Sequence, residues 1–114
     1  MSKTIETKTE TKEHVIKAVK LPEDLNSALS YIVKHSVDTK KPSEVLRLAL
    51  AMRYKIAEPI TFSVEQGHPF EISNPYYFQV PQAMHNLMRK EKEKNGMSDQ
   101  AIIVNAFRRI VNFY

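Results

Sequence analysis

Cysteine is missing from all 114 residues of the chain. That excludes a disulfide framework, a thiolate nucleophile and a thiolate metal site. No stretch approaches the ~18–20 consecutive apolar residues that a membrane-spanning helix needs. The N-terminal segment lacks the apolar core of an export signal, so the expected location is intracellular. No Ser/His/Asp set, glycine-rich phosphate loop or carboxylate pair stands out. His14, His35, His68 and His85 are scattered, with no i, i+4 pair and no acidic partner at ligand spacing. These absences predict a chain without metal, cofactor or catalysis.

What is present is a basic excess, unevenly spread. The formal net charge is +4 and the pI about 9.3. Residues 1–13 carry three lysines and three glutamates, residues 14–57 eight basic against four acidic groups, and residues 58–114 six of each. The whole surplus therefore sits between 14 and 57. A basic face draws polyanions, and nucleic acid is the common one. With 42% hydrophobic residues, the chain can build one modest core, as a single compact domain or as two small fused motifs.

The order of segments repeats. "VIKAVKLPEDL" followed by "KKPSEVLRLALAMRY" is matched by "YYFQVPQAM" followed by "NGMSDQAIIVNAF". Each reads as an alternating strand, a proline, an amphipathic helix, a Ser-acidic helix start and a second apolar helix. Either half alone is too small to bury a core, but two can complete each other. The expected organisation is an arm at 1–13, a first unit at 14–56, a connector at 57–75 and a second unit at 76–114. The arm alternates Thr with charge and is expected to be mobile. In the connector, Ile60, Phe62 and Val64 alternate, which predicts a short extra strand within 60–64, able to lie on the edge of the main sheet.

Alternation also sorts the faces. Val15, Lys17, Val19 and Leu21 share one side of the first strand; His14, Ile16, Ala18 and Lys20 share the other. In the second, Tyr76, Phe78 and Val80 oppose Tyr77 and Gln79. Leu25, Ala28, Leu29, Ile32 and Val33 form one helical stripe. The helix from 42 onward is apolar over most of its circumference and belongs mid-core. Met84, Leu87 and Met88 are expected inward, "RKEKEK" outward, and Asn95-Gly96 to stop that helix. Ile102, Ile103, Ala106, Phe107, Ile110 and Val111 line the last one. Ser43 follows Pro22 by 21 positions and Ser98 follows Pro81 by 17. The first unit thus has an extra helical turn or a longer loop.

Strand, proline, helix, turn, Ser-acidic start, helix within about forty residues resembles the ribbon-helix-helix family of DNA-binding regulators. The resemblance covers most of the chain and occurs twice in order, similar to tandem regulators of archaeal viruses. It implies an α+β, mostly α fold, in which two ribbon-helix-helix repeats form a pseudo-dimer with a small antiparallel sheet and four helices. It implies a transcriptional regulator, repressor or activator, whose partner is double-stranded DNA. It leaves open a homo-oligomer along DNA and involves no membrane. The location would be the host cytoplasm for a viral chain.

A β-ribbon reads major-groove base edges with its outer face. Ile16, Ala18, Lys20, Tyr77 and Gln79 are therefore the base-reading candidates. Lys20 suits guanine O6/N7 or a phosphate, Gln79 suits adenine N6/N7, and Ile16 and Ala18 can touch only thymine methyls. Family ribbons usually expose polar groups at these sites, so Ile16 and Ala18 depart from the pattern; the extra strand offers Ile16 a cover. Phosphate contacts are expected where the second helix of each unit begins. Lys40, Lys41 and Ser43 match that place in the first unit, and Asn95, Met97 and Ser98 in the second. Ser43 and Ser98 can equally be helix caps. Lys17 is a further phosphate candidate, although it lies on the inward face and must snorkel. The alternative is an antitoxin-like or assembly module on the same scaffold that reads no specific DNA; the ending "VNFY", without a long C-terminal arm, speaks against it.

Overall fold

The computed structural model describes residues 14–37, 39 and 41–114. The expected arm at 1–13 and the candidate Lys40 lie outside the described residues. In chain order the elements are β1 (His14–Val19), α1 (Glu23–His35), α2 (Pro42–Arg53), β2 (Phe62–Val64), β3 (Tyr76–Pro81), α3 (Gln82–Asn95), α4 (Asp99–Ile110) and β4 (Val111–Phe113). The fold is α+β: four helices among the described residues, a two-stranded antiparallel ribbon of β1 with β3, and a two-stranded parallel pair of β2 with β4.

Both ribbon strands turn into helices at a proline. Pro22 (φ −57°, ψ 155°) precedes α1 and Pro81 (φ −56°, ψ 145°) precedes α3, each without a side-chain cap. The ring fixes φ near the helical value and removes an N–H that the helix start would leave unpaired. Glu23 and Asp24 then occupy the first turn of α1, where the helix dipole favours acids. At the far end of α3, Gly96 adopts the left-handed conformation (φ 71°) and its N–H bonds Lys92 C=O at 2.8 Å, the stop that "NG" predicts. The longer first unit owes its length to its loop, because α1 has 13 residues and α3 has 14.

The core lies beneath the ribbon. Val19, Phe78 and Val80 point into it from the strands, and Leu21 from just beyond β1; all four are buried. Phe78 meets Phe107 with ring centroids 5.5 Å apart. Val45, Leu46, Ala49 and Leu50 of α2 and Ile102, Ile103, Ala106 and Phe107 of α4 are buried, and these two helices pack on each other. α1 adds Leu25, Ala28, Leu29 and Ile32.

Three expectations are corrected. The extra strand forms, but not on the ribbon's edge: Phe62↔Val111, Ser63↔Asn112 and Val64↔Phe113 pair in parallel. The last helix therefore ends at Ile110, and Val111 belongs to β4. β4 can accept this pairing because Val64, fully buried, anchors β2 in the core. Finally, α3 is a weakly buried helix: Met88 is buried and Met84 packs half-buried against the core, as expected, while Leu87 is half-exposed. Polar bonds hold its other side. Glu91, from the run expected to face solvent, accepts from Arg53 Nε at 3.0 Å, from Arg53 Nη2, and from Tyr54 Oη at 2.7 Å.

The connector is anchored by amides. Asn74 Oδ1 accepts the Leu21 N–H at 2.9 Å and its Nδ2 donates to Leu21 C=O at 3.0 Å. Buried Asn26 donates to Ile72 C=O at 3.0 Å, and Ser30 Oγ accepts the Glu71 N–H at 2.9 Å. Asn26 and Ser30 are thus satisfied by the main chain of Glu71 and Ile72, which lie in no strand.

The hydrogen bond from Arg53 holds the Glu91 carboxyl below its ordinary value, against the opposing effect of burial. A depressed folded-state value adds stability that is complete above the ordinary value of 4.5 and is lost as pH falls through the folded one. Glu91→Gln is expected to lower unfolding stability by about 1–3 kcal/mol at neutral pH. It is also expected to flatten the loss of stability below pH about 4.5, as urea titrations across that range would measure.

Candidate nucleic-acid interface

In the ribbon His14 opposes Pro81, Val15 Val80, Ile16 Gln79, Lys17 Phe78, Ala18 Tyr77 and Val19 Tyr76. Period-2 alternation across this register sends Ile16, Ala18, Tyr77 and Gln79 to one face. All four are exposed, Ile16 by 54% and Tyr77 by 62%. Lys20, just past the paired stretch, is exposed as well. The five base-reading candidates thus share one solvent-facing strip. The extra strand does not cover Ile16.

The start of α2 meets the second strand. Ser43 Oγ accepts the Gln79 N–H at 2.9 Å. That corrects Ser43 as the cap: Lys41 holds the N-cap position, exposed and without a side-chain cap, and Ser43 lies inside the first turn. The start of α4 meets the first strand, where Gln100 Oε1 accepts the Lys20 N–H at 3.3 Å. Ser98 caps α4, accepting the Ala101 N–H at 3.1 Å. Each helix start is therefore tied to the ribbon strand of the other half, beside the exposed strip.

Lys17 is corrected as a phosphate contact. Its Nζ lies 2.9 Å from Asp99 Oδ2, with side chains only 12% and 27% exposed. Having to face inward, it finds a carboxylate at the first turn of α4. Lys92 reaches the same group, 3.4 Å from Oδ1. Burial pushes the Asp99 carboxyl up, but bonding to Lys17 and the charges of Lys17 and Lys92 outweigh it, and the value ends below the ordinary range. His85 lies close by; burial and then the charge of Lys17 push it down. Both helix starts carry an acid in the first turn, Glu44 and Asp99; that of α4 is neutralised by Lys17 and Lys92, and Lys41 stands at the N-cap of α2.

Met97 is also corrected. Its side chain is half-buried against the core, with Sδ 3.8 Å from Arg53 Nη2. Asn95 is exposed at the end of α3, and its side chain helps to hold the Glu91 carboxyl low. Ser98 remains exposed. Sequence reasoning passed over Gln100, Asn74 and Asp99 as parts that hold the ribbon. Asp99 could have been paired with Lys17 from the need of an inward lysine for an acid; Asn74 leaves no such signal.

Among the described residues no cluster of three or more His, Cys, Asp or Glu is arranged to hold a metal ion, and no helix is long and apolar enough to cross a membrane. No protein-family profile, curated protein or solved structure matches the chain.

The two lysines of β1 and its end should behave differently. Lys17→Ala leaves Asp99 without its closest partner and is expected to destabilise by about 1–3 kcal/mol. Lys20→Ala, at an exposed position, should stay within about 0.5 kcal/mol. Chemical unfolding of both variants measures the contrast.

Proposed function

We propose that the protein is a sequence-specific double-stranded DNA-binding regulator of transcription, acting inside the cell and without catalysis. One chain supplies both strands of a ribbon that enters the major groove, which is wide enough for a two-stranded β-ribbon. The observation that carries this reading is the exposed strip Ile16, Ala18, Lys20, Tyr77 and Gln79 on a paired β1–β3 ribbon. A ribbon free on its outer face, with its inner face packed on helices, has the shape of a groove reader.

A pseudo-twofold arrangement of two ribbon-helix-helix repeats fits the register. Ala18 lies four positions before Pro22 and Tyr77 four before Pro81, and these two residues oppose each other directly. A pseudo-dyad would pass between them. Lys20 and Gln79, each two positions before its proline, then become equivalent readers in opposite half-sites. The exchanged anchors, Ser43 to Gln79 and Gln100 to Lys20, follow the same relation. Lys41 and the exposed Ser98 would contact the flanking phosphates, Lys41 with its charge and Ser98 with its hydroxyl.

The exposed apolar side chains Ile16 and Tyr77 favour a second reading, an antitoxin-like or assembly module whose partner is another protein. Filter binding with a salt titration separates the two. Specific affinity with a steep salt slope is expected of the regulator, and no affinity for DNA at low salt would leave the interaction module. Selection from random duplexes is expected to return a site that is not a strict palindrome, because the half-site readers differ. Lys20→Ala and Gln79→Ala should each cost roughly 1–3 kcal/mol at one base position. Equal losses on every sequence would reduce both residues to phosphate contacts.

A further inference from the structure

The outer strip of the ribbon has an uneven chemistry. Its middle is apolar, with Ala18 opposing Tyr77; toward one end Ile16 opposes Gln79, and His14, exposed and on the same face by alternation, lies beyond them opposite Pro81. Only Lys20, beyond the last pair at the other end, carries a charge among the five. Tyr77 and Ile16 are 62% and 54% exposed, so they project rather than fold back onto the core.

On base-pair edges in the major groove, the one apolar group is the C5-methyl of thymine. Every base pair presents amino, carbonyl and ring-nitrogen atoms that need hydrogen-bond partners, and only A·T sets a methyl beside them. Ile16 and Ala18 have none to give, and a polar edge pressed against them would lose its water without replacement. Gln79 alone on that end can bond bidentately, and its matched edge is adenine N6/N7. Directly opposed residues of an antiparallel pair have Cβ atoms about 4.5–5.5 Å apart. Gln79 and Ile16 therefore fall on the same or the next base pair. An adenine under Gln79 brings a thymine methyl into the same groove, where Ile16 can cover it.

Building on the DNA-binding reading above, we infer that the ribbon selects A·T pairs through thymine methyls at its centre and under the Gln79/Ile16 pair, and accepts guanine under Lys20. Ile16, Ala18 and Tyr77 are specificity-determining residues that act by apolar contact. Their apolar character is thereby the means of reading and not a gap in it.

The test replaces thymine by deoxyuridine, one position at a time, in the best duplex returned by random selection. Deoxyuridine keeps every hydrogen bond and removes only the methyl. Affinity is expected to fall about fourfold for each contacted methyl, the equivalent of one buried CH₂-sized group. Ile16→Ser should weaken the thymine duplex and leave its deoxyuridine counterpart unchanged at the position that Ile16 covers. Circular dichroism of the variant checks that its fold is kept, and the duplex series on the unaltered protein stands without it. A specific duplex that binds equally well with deoxyuridine at every position, or one with G·C under the Gln79/Ile16 pair, overturns the inference while leaving DNA binding intact. If no duplex is selected at all, the regulator reading itself fails and the inference falls with it.

Discussion

The antiparallel pairing of β1 with β3 sets the position of everything else. Its six residue pairs join segments far apart in sequence. A slip of one residue would turn Val19, Phe78 and Val80 to solvent and draw Ile16 and Tyr77 inward, because side chains alternate with period 2. Several elements guard against that slip. Phe78 is held in the core against Phe107. Ser43 fixes the Gln79 N–H, Gln100 the Lys20 N–H, and Asn74 both backbone groups of Leu21. One of these bonds engages the main chain of the ribbon itself and three that of the two residues following β1, so side-chain changes on the outer face leave the anchoring in place.

Charge pairs link the two halves across the same boundary. Lys17–Asp99 joins β1 to α4, Arg53–Glu91 joins α2 to α3, and Asp24–Arg108 joins α1 to α4. They are not equivalent. Asp24 and Arg108 are nearly half exposed, and such a surface pair contributes little. Arg53 and Glu91 are about 15% exposed and share Tyr54 as a third member. That network does for α3 what apolar contacts do for the other helices, since Met88 alone of its residues is buried.

Much of this was legible in the sequence, for identifiable reasons. Strand faces follow from alternation, and Val19, Phe78 and Val80 are buried where the pattern puts them. Prolines and the "NG" pair mark helix starts and a stop because their backbone restrictions are local. The rest depends on contacts between distant segments. Val111–Phe113 reads as a continuation of α4 until β2 offers it a partner. Glu91 sits in a charged run whose exposed face hides one inward acid. Lys17 is a basic residue like its neighbours until Asp99 arrives from the far end of the chain. Ser43 looks like a cap because the competing acceptor role, toward the Gln79 N–H, lies in the other half.

That both ribbon strands belong to one polypeptide changes the concentration dependence of the molecule. A ribbon made of strands from two subunits forms by a bimolecular step and falls apart on dilution. Here its closure is unimolecular, opposed by the loop entropy of joining Val19 to Tyr76, which grows only logarithmically with length. At any dilution the paired strands are as complete as at high concentration. The two strands are also free to diverge from each other, since neither has to match a copy of itself.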